Sequence, residues 1–203
     1  MSIPLSNKPK ILITGANGLL GQKLVEQLVA QGNFAVIATG RGACRLSGTG
    51  FTYQSLDIEN EQEVESVLAQ LRPEVLVHGA AMTHVDDCEK NQEGCYRANV
   101  LATSYLLRAA EKVGSHFIFV STDFIFSGED GHNPYTEEAL PEPVNYYGQT
   151  KLEGEELIKR STLKWAIART VLVYGLANDL SRSNIILWVK SSLEAGKKIQ
   201  VVD

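Results

Sequence analysis

The chain has 203 residues, 44% of them hydrophobic and 21% charged, with a formal net charge of -5. That length builds one sizeable domain with a real core, and the acidic balance argues against a nucleic-acid partner, which needs a basic patch. No apolar run reaches the ~18 residues that span a bilayer, and "MSIPLSNKPK" lacks the apolar core of a secretion signal, so the expectation is a cytoplasmic protein without membrane contact.

Two hydrophobic periods alternate along the chain. "KILITG" is a short apolar run, the pattern of a buried strand. "LLGQKLVEQLVAQG" carries Leu20, Leu24 and Leu28 at helical spacing and stops at Gly32. "FAVIATG" and "FTYQSLD" read as strands two and three. "NEQEVESVLAQLRP" is a helix with an acidic first turn, ended by Pro73. "EVLVHGAA" is strand four, "EGCYRANVLATSYLLRAAEKVG" one long helix to Gly114, and "HFIFVST" strand five. A Gly/Pro-rich surface loop, "SGEDGHNPYTEEALPEP", leads into a helix through "YYGQTKLEGEELIKR". "WAIARTVLVYG" is strand six and its exit, "SNIILWVKSSLEAG" a further helix, and "KIQVVD" the start of another strand.

Strands alternating with helices of this length imply βαβ units, hence an α/β doubly wound parallel sheet of Rossmann type with helices on both faces. Ligands of such sheets bind at the carboxyl ends of the strands. Residues 1–176 are expected to form this nucleotide-binding unit; a family resemblance, carried by the motifs that follow, implies that 177–203 begin a substrate-binding lobe that is incomplete here.

Directly after strand one, "TGANGLLG" spaces Gly15, Gly18 and Gly21 by three and opens a helix. Such a loop makes a tight turn, lets backbone approach a pyrophosphate, and packs helix on strand. The cofactor-binding set expected here is Gly15, Asn17, Gly18, Leu19, Leu20 and Gly21. No Walker lysine follows, which disfavours nucleoside triphosphate hydrolysis. Strand two ends "ATGRGACR" without the carboxylate that would hold the ribose hydroxyls of NAD. Arg41 can instead pair with a 2′-phosphate, which favours NADP(H) over NAD(H). Asp57 and Ile58, after strand three, suit an adenine between them, although Asp57 also reads as a residue beside a helix cap.

In "NYYGQTK", Tyr147 stands four residues before Lys151, on one helix face, whereas Tyr146 pairs with Thr150. A phenol titrates near 10, and a nearby ammonium would lower that value. Tyr147 is therefore the expected acid, Lys151 its partner, and Ser121 or Thr122 the hydroxyl that orients a carbonyl. Of the three cysteines, Cys88 and Cys95 would share a face if carried on one helix, and they are expected to pack as small hydrophobes rather than to act in redox or metal chemistry.

Together these motifs resemble the extended short-chain dehydrogenase/reductase superfamily: "GANGLLG" its glycine loop, "HGAA" its strand-four motif, "YGQTK" its YxxxK. Through that resemblance Thr122, Tyr147 and Lys151 are the implied catalytic set, and Ala80, Ala81, Thr83 and Asn99 join the cofactor site. "AAMTHVDDCEKN" and "STDFIFSG…PYTEEALPEPVNYYGQTKLEGE" are similar to the dTDP-4-dehydrorhamnose reductase family. This implies a nucleotide-sugar substrate near Val85, Asp86, Thr122, Asp123 and Phe124, with Glu89 closing the same loop motif and His84 a departure from it. No metal ligand is carried over. The rival readings are a nucleotide-sugar epimerase or dehydratase, which would want an acid where Phe124 stands or at the end of strand two, and a non-catalytic NADP-binding regulatory subunit like that of methionine adenosyltransferase. The helix through Tyr105 and the YxxxK helix suit either a homodimer or coverage of the sheet.

Overall fold

A computed structural model describes residues 8–128, 134–178 and 185–199. Six strands, β1 (Lys10–Thr14), β2 (Ala35–Gly40), β3 (Phe51–Ser55), β4 (Val75–His78), β5 (His116–Thr122) and β6 (Trp165–Thr170), form one sheet in the order β3-β2-β1-β4-β5-β6. Every pairing is parallel. The strand order reverses between β1 and β4, which opens a crevice at their carboxyl ends.

Alternation along the central strands builds a core on each face. Leu12, Ile37, Leu76, Phe117 and Phe119 point into one layer, with Val64 and Leu68 of α2 (Glu61–Leu71) and Leu106 and Ala110 of α5 (Ala102–Val113). Ile11, Ile13, Val36, Ala38 and Val77 point the other way, onto Val25 and Leu28 of α1 (Leu19–Gln31). Local chemistry sets the helix limits. Gly32 closes α1 in the left-handed conformation, and the Asn60 side chain accepts from the Glu63 amide at the start of α2.

The long helix expected over 93–114 is three pieces. α4 (Gln92–Tyr96) runs into a π turn (Arg97–Leu101) and then α5. The extra residue per turn lets Asn99 face the loop after β4, and hydrophobic periodicity does not encode such a turn. Two short elements had no periodic signal: α3 (Val85–Lys90) and a 3-10 turn at Asp123–Ile125. α6 (Tyr146–Lys159) and α7 (Ile185–Glu194) lie where expected. The strand expected from "KIQVVD" falls mostly at 200–203, outside the described residues, and 197–199 are not in a strand. The expected division at 176/177 falls just before residues 179–184, which also lie outside them. Apolar side chains past β6, among them Val171, Leu172, Tyr174 and Leu176, are exposed. Among the described residues no helix is long and apolar enough to cross a membrane.

Candidate active site

A cleft of about 1140 Å³ opens over the carboxyl ends of β1, β2, β4 and β5. Its floor is the glycine loop. Gly15 has φ +73, and a side chain there would collide with the Ala80 backbone, its β-carbon 2.8 Å from the Ala80 nitrogen. At Gly21 a β-carbon would overlap the Gly15 carbonyl oxygen. Strand one, the β4 exit and α1 therefore meet at backbone contact, which only glycine permits. The amides of Leu19, Leu20 and Gly21 open α1 and, as first-turn groups, have no acceptor within the helix. Gly15, Gly18, Leu19, Leu20 and Gly21 all line the cleft, and this cradle fits a pyrophosphate.

Asn17 also lines it, but its side chain is committed to the β2–β3 loop. It donates to the Ala43 carbonyl (3.1 Å) and the Tyr53 hydroxyl (3.0 Å) and accepts from the Arg45 amide (3.0 Å). Arg41 and Ile58 line the cleft at the β2 and β3 ends. Glu59 stands between Arg41 (3.5 Å) and Arg97 (3.3 Å), a carboxylate between two guanidinium groups that sequence reading did not single out. Asp57 is not on the cleft wall; its carboxylate accepts from the Glu59 amide at 3.0 Å and shapes the turn before α2. Ala80, Ala81, Thr83 and His84 line the opposite side. Val85 and Asp86 lie on α3 outside the wall.

Thr122, Asp123, Phe124, Tyr147 and Lys151 converge on the cleft. α6 brings the last two there by pressing close on its neighbours. A β-carbon at Gly148 would overlap the Phe124 carbonyl, and one at Gly154 would sit 2.9 Å from the Phe119 ring. The helix is capped by Asn145, which accepts from the Gly148 amide at 2.8 Å, and by Glu89 of α3, which accepts from the Tyr146 amide at 2.7 Å. Tyr147 is buried with its ring edge-on to Phe124, whereas Tyr146 is not on the cleft wall. The Thr122 hydroxyl donates to Asp123 (3.0 Å) and accepts from the Phe124 amide (3.2 Å). Ser121 also borders the cleft, and its side chain lies beside Glu155.

The charges differ from the sequence expectation. Burial pushes the Tyr147 phenol up, a hydrogen bond with Thr122 opposes this, and the Asp123 carboxylate adds to the rise. Lys151, expected to lower that phenol, is not what sets it. The ammonium is itself fully buried, donates to the Val120 carbonyl at 2.8 Å, and lies 3.9 Å from the centre of the Phe119 ring. Burial draws its pKa down to about 7, with Glu155 pulling the other way. Desolvation is the largest cause at both groups: Asp123 adds to it at Tyr147, and Glu155 opposes it at Lys151.

Behind the cleft, Asn99 grips Met82 at both backbone atoms (2.8 and 3.0 Å) and donates to Thr150 of α6 (3.0 Å). Asn99 holds the wall from behind rather than lining it. His78, fully buried, joins Thr14 (2.8 Å) to Thr103 (3.0 Å), and Thr103 donates to the Asn99 carbonyl (2.6 Å). Burial lowers the His78 pKa to about 3, so the ring is neutral. With Thr103 donating onward, Nε2 of His78 carries the proton and Nδ1 accepts from Thr14, whose oxygen accepts from the Ala80 amide. This chain ties the glycine-loop strand to the π turn. Cys88 and Cys95 correct a further expectation: they sit on two helices, α3 and α4, and are joined as a disulfide packed beside Tyr147. Among the described residues no group of three or more acidic, histidine or cysteine side chains could hold a metal ion.

Known proteins are similar to this chain in sequence and fold. The spore coat polysaccharide biosynthesis protein SpsK of Bacillus subtilis is 32% identical over 95% of this chain and 62% of its own. Methionine adenosyltransferase 2 subunit beta of Rattus norvegicus is 31% identical over 87% of this chain and 50% of its own. The dTDP-4-dehydrorhamnose reductase of Bacillus anthracis, solved in complex with NADP, superposes with a TM-score of 0.75 at 31% identity, over 93% of this chain and 60% of that one. The chain thus spans between half and two thirds of the relatives it matches. The glycine cradle and the Thr122, Tyr147 and Lys151 cluster fall within residues 9–203, which match the model of the RmlD substrate binding domain, and the chain belongs to that family.

Proposed function

We propose that the chain carries the nucleotide-binding and catalytic part of an NADP(H)-dependent reductase of 4-keto nucleotide sugars, with dTDP-4-dehydrorhamnose, reduced to dTDP-rhamnose, as its substrate. Residues 1–176 bind the dinucleotide, and 177–203 begin the lobe that holds the sugar nucleotide. The reading rests on one observation: Thr122, Tyr147 and Lys151 meet in a cleft whose floor is a glycine cradle. NADP(H) among the solved relatives supports the cofactor, and Arg41 at the adenosine end suits a 2′-phosphate. NAD(H) is the other cofactor such a cleft admits.

A reduced nicotinamide cofactor, when bound, would supply the hydride that such a reduction needs. Leu19, Leu20 and Gly21 would hold the pyrophosphate on their amides, and Lys151 the nicotinamide ribose. Thr122 and Tyr147 hydrogen-bond the carbonyl oxygen and polarise it. Tyr147 then gives its proton to that oxygen as general acid. Its raised pKa suits this role, since an acid must enter the step protonated. Asp123 and Phe124 border the same oxygen site, whereas Val85 and Asp86, on α3 outside the cleft wall, would reach the sugar nucleotide only beyond it.

NADPH and NADH oxidation measured with a panel of 4-keto nucleotide sugars tests the reading. Sugar-dependent oxidation supports it. The likeness to a methionine adenosyltransferase subunit favours a second reading, an NADP-binding regulatory partner. Tight NADP(H) binding with no ketosugar-dependent oxidation would select that one.

A further inference from the structure

One turn beyond Lys151, on the same helix, Glu155 is fully buried. Its two carboxylate oxygens meet Arg169 of β6 in a fork, Nε to Oε1 at 3.0 Å and Nη2 to Oε2 at 2.7 Å. Lys159 adds a longer contact of 3.5 Å. The remaining arm of the guanidinium, Nη1, donates to the Glu137 carbonyl at 2.9 Å. The guanidinium also lies 5.4 Å from the Phe126 ring, and that ring stacks on Tyr135. In the sheet, Arg169 is in register with Ser121, next to Thr122. The buried Ser121 hydroxyl has no well-aligned hydrogen-bond partner among the described residues, but it lies beside Glu155 and helps hold that carboxyl low.

A buried ion pair is poor value for stability, because desolvation consumes most of the attraction; an apolar pair of similar size often does as well. A forked guanidinium–carboxylate pair does fix distance and angle. This one fixes α6 against β6, and through the β5–β6 pairing against β5, one turn from Lys151. It also joins them to Phe126, just past Thr122, and to residues 134–142, which lead to the cap of α6. Glu155 is also the charge that opposes the burial of Lys151.

We propose that Glu155 and Arg169 are a positioning pair: they lock the catalytic helix, the end of β5 and residues 134–142 into one unit, so that Tyr147 and Lys151 stand at working distance from Thr122. The catalytic part of this statement rests on the reductase reading; the mechanical part does not.

The test uses the full chain with Glu155→Gln, which keeps shape and removes charge, and the double variant Glu155→Leu/Arg169→Leu, which removes both charges together. Melting, NADP+ affinity, kcat and KM for the ketosugar, and amide hydrogen exchange are measured on each. Folded variants with kcat at least tenfold lower, NADP+ affinity within threefold, and faster exchange in both α6 and 134–142 are expected. Partial recovery of kcat by Glu155→Asp relative to Glu155→Gln completes the pattern. A folded double variant turning over at the wild-type rate overturns the proposal, as does exchange in 134–142 that stays unchanged. Should wild type reduce no ketosugar, the reductase reading fails, and the exchange data alone then decide whether the pair couples the helix to residues 134–142.

Discussion

The Lys151 ammonium donates to the Val120 carbonyl oxygen at 2.8 Å, from a fully buried position against the Phe119 ring. The lysine beside the candidate acid is thus anchored to strand five, and the sheet places it.

That burial has a pH signature. Below about pH 7 the folded and unfolded chains both carry the Lys151 proton, and the fold bears the full cost of a buried charge. Between about 7 and the model-peptide value of 10.5, the folded chain sheds a proton that the unfolded chain keeps. Stability therefore rises with pH across that window, by at most about 1.4 kcal/mol per pH unit for one proton. Lys151→Met is expected to be more stable than wild type at pH 6.5, with the gap narrowing by pH 9.5. Urea unfolding at both values checks this, and parallel pH dependences would refute it.

Tyr147→Phe removes the proton donor but keeps the ring against Phe124. Turnover should fall at least ~100-fold, within the range attributed to general acid catalysis. NADP+ affinity should change less than threefold. Steady-state assay and fluorescence titration separate the two, and a variant with ordinary turnover would falsify the assignment.

Asn99→Ala leaves the Met82 amide and carbonyl without their partner, while the Thr150 hydroxyl keeps its bond to the Tyr147 carbonyl. Each buried group left unpaired costs about 1–3 kcal/mol, so denaturant unfolding should show a loss of at least ~2 kcal/mol. Weaker NADP+ binding should accompany it, because Met82 lines the cleft.

Gly148→Ala forces a β-carbon into the Phe124 carbonyl. α6 must lift, at a cost of about 1–3 kcal/mol, and carry Tyr147 away from Thr122. A loss of kcat much larger than the loss of NADP+ affinity is expected. A fully active variant would mean that the helix tolerates the shift.

Arg41→Ala tests the cofactor preference. A charged hydrogen bond to a 2′-phosphate contributes about 1.5–3 kcal/mol, so NADP+ affinity should fall roughly ten- to hundredfold. NAD+ affinity should stay the same or improve, because Glu59 would keep Arg97 as its partner. Equal losses for both dinucleotides would remove Arg41 from the 2′ site.

The sequence by itself determined the order of strands and helices, because apolar runs and helical spacing are local signals. It also put the glycine triplet directly after strand one, and Tyr147 and Lys151 on one face of a helix, because one helical turn fixes which residues share a face. Only the tertiary structure decided where the charges settle. Lys151 bonds to Val120, Glu155 to Arg169, and Glu59 stands between Arg41 and Arg97, all across elements far apart in the chain. It also decided that Asn17 and Asp57 turn to neighbouring loops, that Asn99 sits on a π turn, and that Cys88 meets Cys95. Burial is a property of the assembled core, and so are the pKa shifts that burial causes. A list of residue types carries neither.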